Sequence, residues 1–195
     1  NREVLDGMEG GLARLTAPLQ TLFHRLHRNS RSGARRNIAA HYDLVNEFYG
    51  QWLDETMMYS AAIFAEPDMN LYDAQVRRLD HICRRLDLQP EDHVIEIGTG
   101  WGGVALHAAQ HYGCRVTTTT ISNEQYRKAG ERIAAAGLAD RVTLLQDDVR
   151  DLSGQYDKLV SIEMIEAVDH AQLPAFFRKC GELLAPHGAM LIQAI

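Results

Sequence analysis

From residue 93 onward, two patterns of apolar positions alternate along the chain. Short runs rich in β-branched residues predict strands, and longer stretches with apolar residues at helical spacing predict the helices between them. Strands are predicted at 93–97, 115–120, 141–145, 157–162 and 189–194, and helices at 102–112, 123–136 and 171–184. This alternation predicts an α/β fold, in which a doubly wound Rossmann-like sheet forms a core domain over 93–195.

Before residue 93 the apolar spacing predicts helices. One helix is predicted roughly over 37–52, a loop over 54–60 and a second helix over 71–86, so 37–92 is expected to form a helical cap over the core. Residues 1–36 form an N-terminal helical extension, with leucines near one helical face and basic side chains around the other. These leucines dock on the protein's own core or enter a membrane surface, and the sequence leaves both alternatives open.

Charge is unevenly distributed along the 195 residues, whose net charge is −6. Between Gly10 and Tyr42 there are six arginines and no acidic residue, so the rest of the chain is strongly acidic. A basic arm on an acidic body predicts that the arm meets an anionic membrane surface. No nucleic-acid partner is expected, and a homodimer is a candidate assembly.

Four further sequence features concern membrane-spanning segments, a signal peptide, the cysteines and the last apolar run. No apolar run reaches the ~18 residues that span a bilayer, and the start lacks the features of a signal peptide. We therefore expect a cytoplasmic protein, peripheral at the inner membrane face. The three cysteines are scattered, without the spacing of a metal site. The apolar run 190–195 would leave an exposed sheet edge, so further C-terminal strands are expected in a longer protein.

The candidate chemistry begins in the segment 94–103, Val-Ile-Glu-Ile-Gly-Thr-Gly-Trp-Gly-Gly. Gly98 and Gly100 allow a sharp turn between strand and helix, where a ligand can approach the backbone and the helix start offers free N–H groups. A dinucleotide site would add an acid about 20 residues on, at the end of the next strand. The run after Arg115 ends in threonines instead. With Glu96 just before the glycines, S-adenosylmethionine is favoured over NAD or FAD.

Five segments in order resemble the cyclopropane fatty acid synthases, which include the mycolic acid cyclopropane synthases. The segments are 41–49, 52–60, 96–103, 120–125 and 161–166, the last reading Ser-Ile-Glu-Met-Ile-Glu. The resemblance implies an S-adenosylmethionine-dependent methyltransferase that adds a methylene bridge across a cis double bond of phospholipid-borne unsaturated acyl chains. The alternatives are methyl- or methylene-branched fatty acids, methylation of a small-molecule amine, an inactive lipid-binding module and, least favoured, an NAD-linked oxidoreductase.

The resemblance also implies a set of cofactor-binding residues. Thr120 and Gln125 are expected near the ribose, Asp148 near the adenine, and Glu96 near the methionine end. The full set is Tyr59, Ser60, Glu96, Gly98, Thr99, Gly100, Trp101, Gly102, Thr120, Gln125 and Asp148. Each has a local structural alternative; Ser122 and Gln125, for example, have the spacing of a helix-capping box.

Methyl transfer to an alkene leaves a carbocation, which aromatic faces stabilise. Tyr42, Phe48, Tyr49 and Trp52 are candidates for that role, and their alternative is ordinary core packing. These aromatic residues all fall in the predicted helical cap. The sequence does not choose between the two roles.

The resemblance further implies a bound bicarbonate that serves as the base. Glu166 and Ile195 match the family's anion site, and Glu166 is the strongest catalytic candidate, expected to orient the anion. Ala61 and Gln193 stand where the family has cysteine and histidine. Glutamine can donate a hydrogen bond to an anion but cannot carry a charge. Bicarbonate is therefore a candidate cofactor that these two departures count against.

Overall fold

The structure, a computed structural model, describes residues 46–195, with side chains from Phe48 onward. The basic arm 1–36 and Tyr42 lie outside this range. Within it the chain forms one sheet of five strands: β1 His93–Ile97, β2 Arg115–Thr119, β3 Val142–Leu145, β4 Tyr156–Ile162 and β5 Leu184–Gln193. The strands are all parallel in the order β3-β2-β1-β4-β5. The predicted doubly wound α/β fold is confirmed.

Helices connect these strands on both faces. They are α1 Asn46–Tyr49, α2 Leu71–Arg85, α3 Gly103–His107 continued by the π-helical turn Ala108–Tyr112, α4 Asn123–Ala135 and α5 Leu173–Leu183. Three 3-10 turns, Val149–Asp151, Ile165–Ala167 and His170–Gln172, follow β3 and β4. None of these helices is long and apolar enough to cross a membrane.

Within the described residues, two element boundaries differ from the prediction by more than two residues. Helix α1 ends at Tyr49, before the predicted residue 52. Strand β5 begins at Leu184, whereas the pattern predicted 189. Leu184 pairs with Tyr156 and Ala189 with Lys158, so the residues between them form an irregularity in β5 that interrupts its apolar pattern.

The core has one cluster on each face of the sheet, because successive side chains of a strand point to opposite faces. Val94 packs with Leu79 and Ile82 of α2, together with residues of α3 and β2. Ile95 and Ile97 join the other cluster, which contains Leu159 and the buried face of α5. A strand buried on both faces reads as a continuous apolar run, as β1 does.

The topology decides where a ligand can bind. Strand β1 lies at the centre of the sheet, with β2 on one side and β4 on the other, so the chain order reverses at β1. In open α/β sheets, ligands bind beyond the carboxyl ends of the strands at such a switch point. The segments that follow Ile97, Thr119, Leu145 and Ile162 therefore meet at one edge of the sheet.

Candidate active site

A cavity of about 660 Å³ lies at this carboxyl edge. Its lining comes from the segments that follow β1, β2, β3 and β4 and from residues 57–60. Twelve of the predicted site residues line it: Tyr59, Ser60, Glu96, Gly98, Thr99, Gly100, Trp101, Thr120, Gln125, Asp148, Glu166 and Ile195. Ala61, Gly102 and Gln193 lie outside the lining.

The glycine loop turns sharply after β1. Gly98 and Gly100 have φ angles of +97° and +53°, and the N–H groups of Gly98 and Thr99 donate to the Thr119 carbonyl at 3.1 and 2.9 Å. A Cβ on Gly100 would meet no described atom within 4 Å, so the space beside it belongs to the cavity. Gly102, at φ +88°, starts α3, and a Cβ there would lie 3.5 Å from Ala129 of α4. Its observed contacts are those of a helix start.

Glu96 brings a carboxyl group to the wall of the cavity, although its side chain is only 2% exposed. Its Oε2 accepts a hydrogen bond from Thr118 Oγ1 at 2.6 Å, and the hydroxyls of Thr118 and Thr99 lie 2.7 Å apart. Burial raises the pKa of Glu96 to about 8, against the opposing effect of the Thr118 hydrogen bond. The carboxyl group therefore holds a proton at neutral pH. A cationic ligand group beside it would favour the ionised form.

The segment after β2 combines a helix start with the cavity wall. Thr120 Oγ1 donates to Gln125 Oε1 at 2.7 Å, and Ser122 Oγ accepts from the Gln125 N–H at 3.3 Å as the N-cap of α4. The predicted capping role is thus present, and Thr120 and Gln125 also line the cavity. Because Gln125 Oε1 is occupied, the group that this side chain can offer to a ligand is its amide N–H₂.

Asp148 lies at the far wall of the cavity, after β3. Its side chain is 8% exposed and forms a paired interaction with Arg150, with contacts of 2.8 and 2.5 Å. Asp148 Oδ1 also accepts from the Arg150 backbone N–H at 3.0 Å, which caps the following 3-10 turn. Asp148 therefore both caps this turn and lines the cavity.

Residues 54–60 fold over the glycine loop, and Arg132 of α4 holds them there. Its guanidinium donates to the carbonyls of Glu55 at 2.8 Å, Thr56 at 3.1 Å and Trp101 at 2.5 Å. A Cβ on Gly103 would collide with the Met58 sulfur, so the covering segment needs glycine at this position. The sequence offered no local signal for Arg132, because its partners are backbone groups distant along the chain.

The aromatic candidates form a cluster beside the covering segment. The ring of Tyr49 lies 4.9 Å from that of Trp101 and 5.5 Å from that of Tyr59. Tyr49 is buried, whereas Phe48 and Trp52 are about half exposed. None of Phe48, Tyr49 and Trp52 lines the cavity, so their contacts support the cap.

The segment after β4 supplies the other end of the cavity. Apolar side chains dominate this wall, among them Ile162, Met164, Val168 and Phe176. Glu166 and Ile195, which the resemblance placed in one site, do meet: the Ile195 N–H donates to Glu166 Oε1 at 2.8 Å.

Glu163 also lines this end, and the sequence analysis did not single it out as a site residue. Its φ angle is +46°, uncommon for a residue with a side chain. Glu163 Oε1 accepts from Gln193 Nε2 at 2.6 Å, and Gln193 Oε1 accepts from Arg78 Nη1 at 2.9 Å. The signal that could have identified Glu163 was its position, directly after a predicted strand and within the segment 161–166.

Arg78 is a buried cation on α2, with a relative exposure of 2%. Its Nε donates to Gln75 Oε1 at 3.2 Å, and its Nη2 finds no hydrogen-bond partner within residues 46–195. Burial lowers the pKa of Arg78, and the negative charge of Glu163 opposes that shift. The guanidinium, the Gln193 amide and the Glu163 carboxylate therefore form one chain that ends at the cavity.

The donor set at this end does not fit a bicarbonate ion. Ala61 is exposed and outside the lining, and the Gln193 amide has both ends engaged by Arg78 and Glu163. Two carboxylate side chains, Glu163 and Glu166, line this end of the cavity. A carboxylate repels an anion that lies beside it.

Comparison with known proteins identifies the family. The family model described as mycolic acid cyclopropane synthetase matches residues 29–195. The chain belongs to this family. Tuberculostearic acid methyltransferase UfaA1 of Mycobacterium tuberculosis is 45% identical over 174 residues, which cover 86% of this chain and 40% of the relative. Cyclopropane-fatty-acyl-phospholipid synthase of Escherichia coli K12 is 41% identical over 155 residues, covering 80% and 39%. The chain thus spans about two fifths of the length of these curated relatives.

Solved structures of other proteins share the fold. The mycolic acid cyclopropane synthase CmaA1, complexed with SAH and CTAB, superposes with a TM-score of 0.77 at 32% identity, covering 81% of this chain and 55% of the other. Coclaurine N-methyltransferase, bound to N-methylheliamine and SAH, gives 0.77 at 25% identity, covering 98% and 55%. These matches confirm the predicted family and its cofactor, S-adenosylmethionine.

Proposed function

We propose that this protein transfers a methyl group from S-adenosylmethionine to the cis double bond of an unsaturated fatty acyl chain carried by a phospholipid. The observation that supports this most directly is the composition of one cavity. Polar groups of the glycine loop and the β2 segment line one end, and the apolar side chains that follow β4 line the other. Such a cavity suits a polar cofactor that meets an apolar acceptor.

The residues at the polar end fit the cofactor. Glu96 would pair with the amino group of the methionine part, which favours its ionised form. The threonine hydroxyl and amide N–H₂ of Thr120 and Gln125 would meet the ribose, and Asp148 the adenine. The cofactor supplies an electrophilic methyl group; the protein binds it and covers it with residues 54–60.

The apolar end suits the acceptor. An alkene is a weak nucleophile, so the rate depends on holding its π face against the methyl group and on excluding water. Met164 and Phe176 line this end of the cavity, and Ile162 joins them from the end of β4. These side chains exclude water from the reacting atoms.

Two products are compatible with such a transfer. A cyclopropane ring is the first candidate, as in the E. coli relative's name. A methyl- or methylene-branched chain is the second. The relative UfaA1 is named as a methyltransferase.

We also propose that the protein acts as a peripheral protein at an anionic membrane surface, which its basic residues 10–36 would bind through lipid phosphates. Vesicles with and without anionic lipid would be sedimented with the complete protein and with a variant lacking residues 1–36. The free energy of membrane binding is expected to weaken by roughly 1 kcal/mol for each arginine that is neutralised near the membrane surface. Equal sedimentation of both proteins at low salt would refute a role for this arm.

The proposed activity is tested with the complete gene product, isotopically labelled S-adenosylmethionine, and vesicles of monounsaturated or fully saturated phospholipid. Label is expected in the acyl chains of the unsaturated lipid alone, and mass spectrometry of the released chains distinguishes a ring from a branch. Label in an added small-molecule amine instead would move the protein to the amine methyltransferases. An absence of transfer, with cofactor binding intact, would indicate a lipid-binding module.

A further inference from the structure

We infer that Glu163 is a resident base, whose carboxylate takes the place of an added anion and removes the proton that completes the reaction. This inference rests on the proposed function. It follows from the carboxylate in the cavity wall, from the side chains that hold it there, and from the poor fit of this end to bicarbonate.

The backbone at Glu163 combines a strand hydrogen bond with an uncommon conformation. Its N–H donates to the Gln193 carbonyl at 2.9 Å, which continues the ladder between β4 and β5. Its φ angle of +46° is nevertheless in the left-handed region, which is unfavourable for a side chain other than glycine, asparagine or aspartate. Strain of this kind persists where the surroundings impose it, and it clusters at functional sites. Here it turns the side chain after β4 into the cavity wall.

The side-chain partners fix the orientation of the Glu163 carboxyl group. Gln193 Nε2 donates to one oxygen, Oε1, and the buried guanidinium of Arg78 lies behind that amide. Glu163 Oε2 receives no hydrogen bond from residues 48–195, so it is the oxygen that can accept a proton. Gln193 and Arg78 are positioning residues, since they act on the substrate through Glu163.

Glu166 is less suited to this step. It is exposed, and its Oε1 already accepts the Ile195 N–H. Glu163 is half-buried among the apolar side chains that would hold the acyl chain. A base inside a water-poor wall takes its proton from the substrate rather than from solvent.

The step balances as follows. The alkene π pair forms a bond to the methyl carbon while the bond between that carbon and the sulfonium sulfur breaks, leaving a thioether and a carbocation on the acyl chain. A C–H bond of the transferred carbon then breaks. Its proton goes to Glu163 Oε2, and its electron pair closes the ring or, after a hydride shift from the methylated carbon to the neighbouring cationic carbon, forms the C=CH2 double bond of a methylene branch. Both products need one base and no further reactant.

The test uses the complete protein in bicarbonate-free buffer with unsaturated phospholipid vesicles. Wild-type turnover is expected to be independent of added bicarbonate. Glu163→Gln should lower turnover about 100-fold, the usual contribution of a general base, with unchanged affinity for S-adenosylhomocysteine by calorimetry. Glu163→Gly relieves the backbone strain at φ +46° and should fold at least as well, yet lose turnover to the same extent.

The glycine variant also leaves room for a small anion beside the Gln193 amide. Bicarbonate or formate should therefore restore its turnover at least ~10-fold while leaving wild type unchanged. Glu91→Gln, an exposed carboxylate before the opposite end of β1, is the matched control and should match wild type.

Three results would overturn the inference: a wild-type requirement for bicarbonate, full turnover of Glu163→Gln, or no rescue of Glu163→Gly by either anion. In each of these the wild type still labels acyl chains, in the first case once bicarbonate is added, so the proposed function survives. If the wild type labels no acyl chain either with or without bicarbonate, the proposed function itself fails.

Discussion

At the polar end of the cavity, which we propose as the cofactor end, the segments 96–101 and 118–125 hydrogen-bond to each other across neighbouring strands. At the acceptor end, the chain from Arg78 through Gln193 to Glu163 joins α2, β5 and the segment after β4. The Arg78–Gln193 hydrogen bond spans 115 residues, whereas that between Thr118 and Glu96 spans 22.

This difference indicates how substitutions at each end of the cavity should act. The cofactor end depends on backbone turns and on one buried carboxyl group, so a single side chain added there blocks the ligand. The acceptor end depends on how three distant elements pack, and one substitution there leaves the others with unsatisfied buried groups. We therefore expect mutations to separate cofactor affinity from turnover, depending on the end that they alter.

The largest effect is expected from Gly100→Val. Gly100 has φ +53°, and the added side chain would enter the space of the cavity. We expect affinity for S-adenosylhomocysteine to fall at least about 1,000-fold, or ~4.1 kcal/mol, by calorimetric titration. Gly137→Val is the matched control, because Gly137 has φ +66° and equally open surroundings outside the cavity. Equal affinity losses in both variants would mean that backbone strain, rather than a blocked site, explains the effect.

The next effect concerns the pH dependence of stability at the cofactor end. Burial raises the pKa of Glu96 from 4.5 to about 8, so the folded state binds its proton more tightly than the unfolded state does. Stability from this group is complete below pH ~4.5 and is lost as the pH rises through about 8. Without cofactor, we expect a loss of about 3 kcal/mol between pH 5 and 8, measured by denaturant unfolding. Glu96→Gln should flatten the curve; parallel curves for the two proteins would refute the assignment.

A smaller effect is expected from Gln193→Leu at the acceptor end. The change removes the acceptor of Arg78 Nη1 and the donor to Glu163, which leaves a buried cation short of a partner. We expect a loss of about 2 kcal/mol in the free energy of unfolding and a cofactor affinity within about twofold of wild type. Gln155→Leu, on an exposed glutamine, is the control and should change stability by less than ~0.5 kcal/mol. A large loss of cofactor affinity in Gln193→Leu would show that the two ends are coupled.

The smallest effect is expected from Arg132→Met, which loosens the covering segment. Three hydrogen bonds to backbone carbonyls are lost, while methionine replaces the unbranched apolar part of the arginine side chain. We expect cofactor affinity to fall about 10-fold, or ~1.4 kcal/mol, because residues 54–60 are no longer held over the loop. Arg127→Met removes an exposed arginine from the same helix and should leave affinity unchanged. Unchanged affinity in Arg132→Met would mean that the packing of Met58 against Gly103 is enough to hold the cover.

The sequence alone determined the sheet and the cofactor end. Strand β1 is buried on both faces, so it has a continuous apolar run that can be recognised in the sequence. The turn at Gly98 and Gly100 is local, since a positive φ restricts which residue can stand there whatever lies around it. The capping of α4 by Ser122 is local for the same reason, and the structure shows it as predicted.

Tertiary structure alone decided the acceptor end. Arg78 falls within an amphipathic helix pattern, and nothing near it in sequence indicates that its guanidinium is buried against β5. The sequence showed that Gln193 replaces a histidine, but not that its amide is shared between Arg78 and Glu163. The partners of a side chain depend on which elements pack together. The free energy of that packing is spread over many apolar contacts, and most of these lie far from the polar groups that the packing brings together.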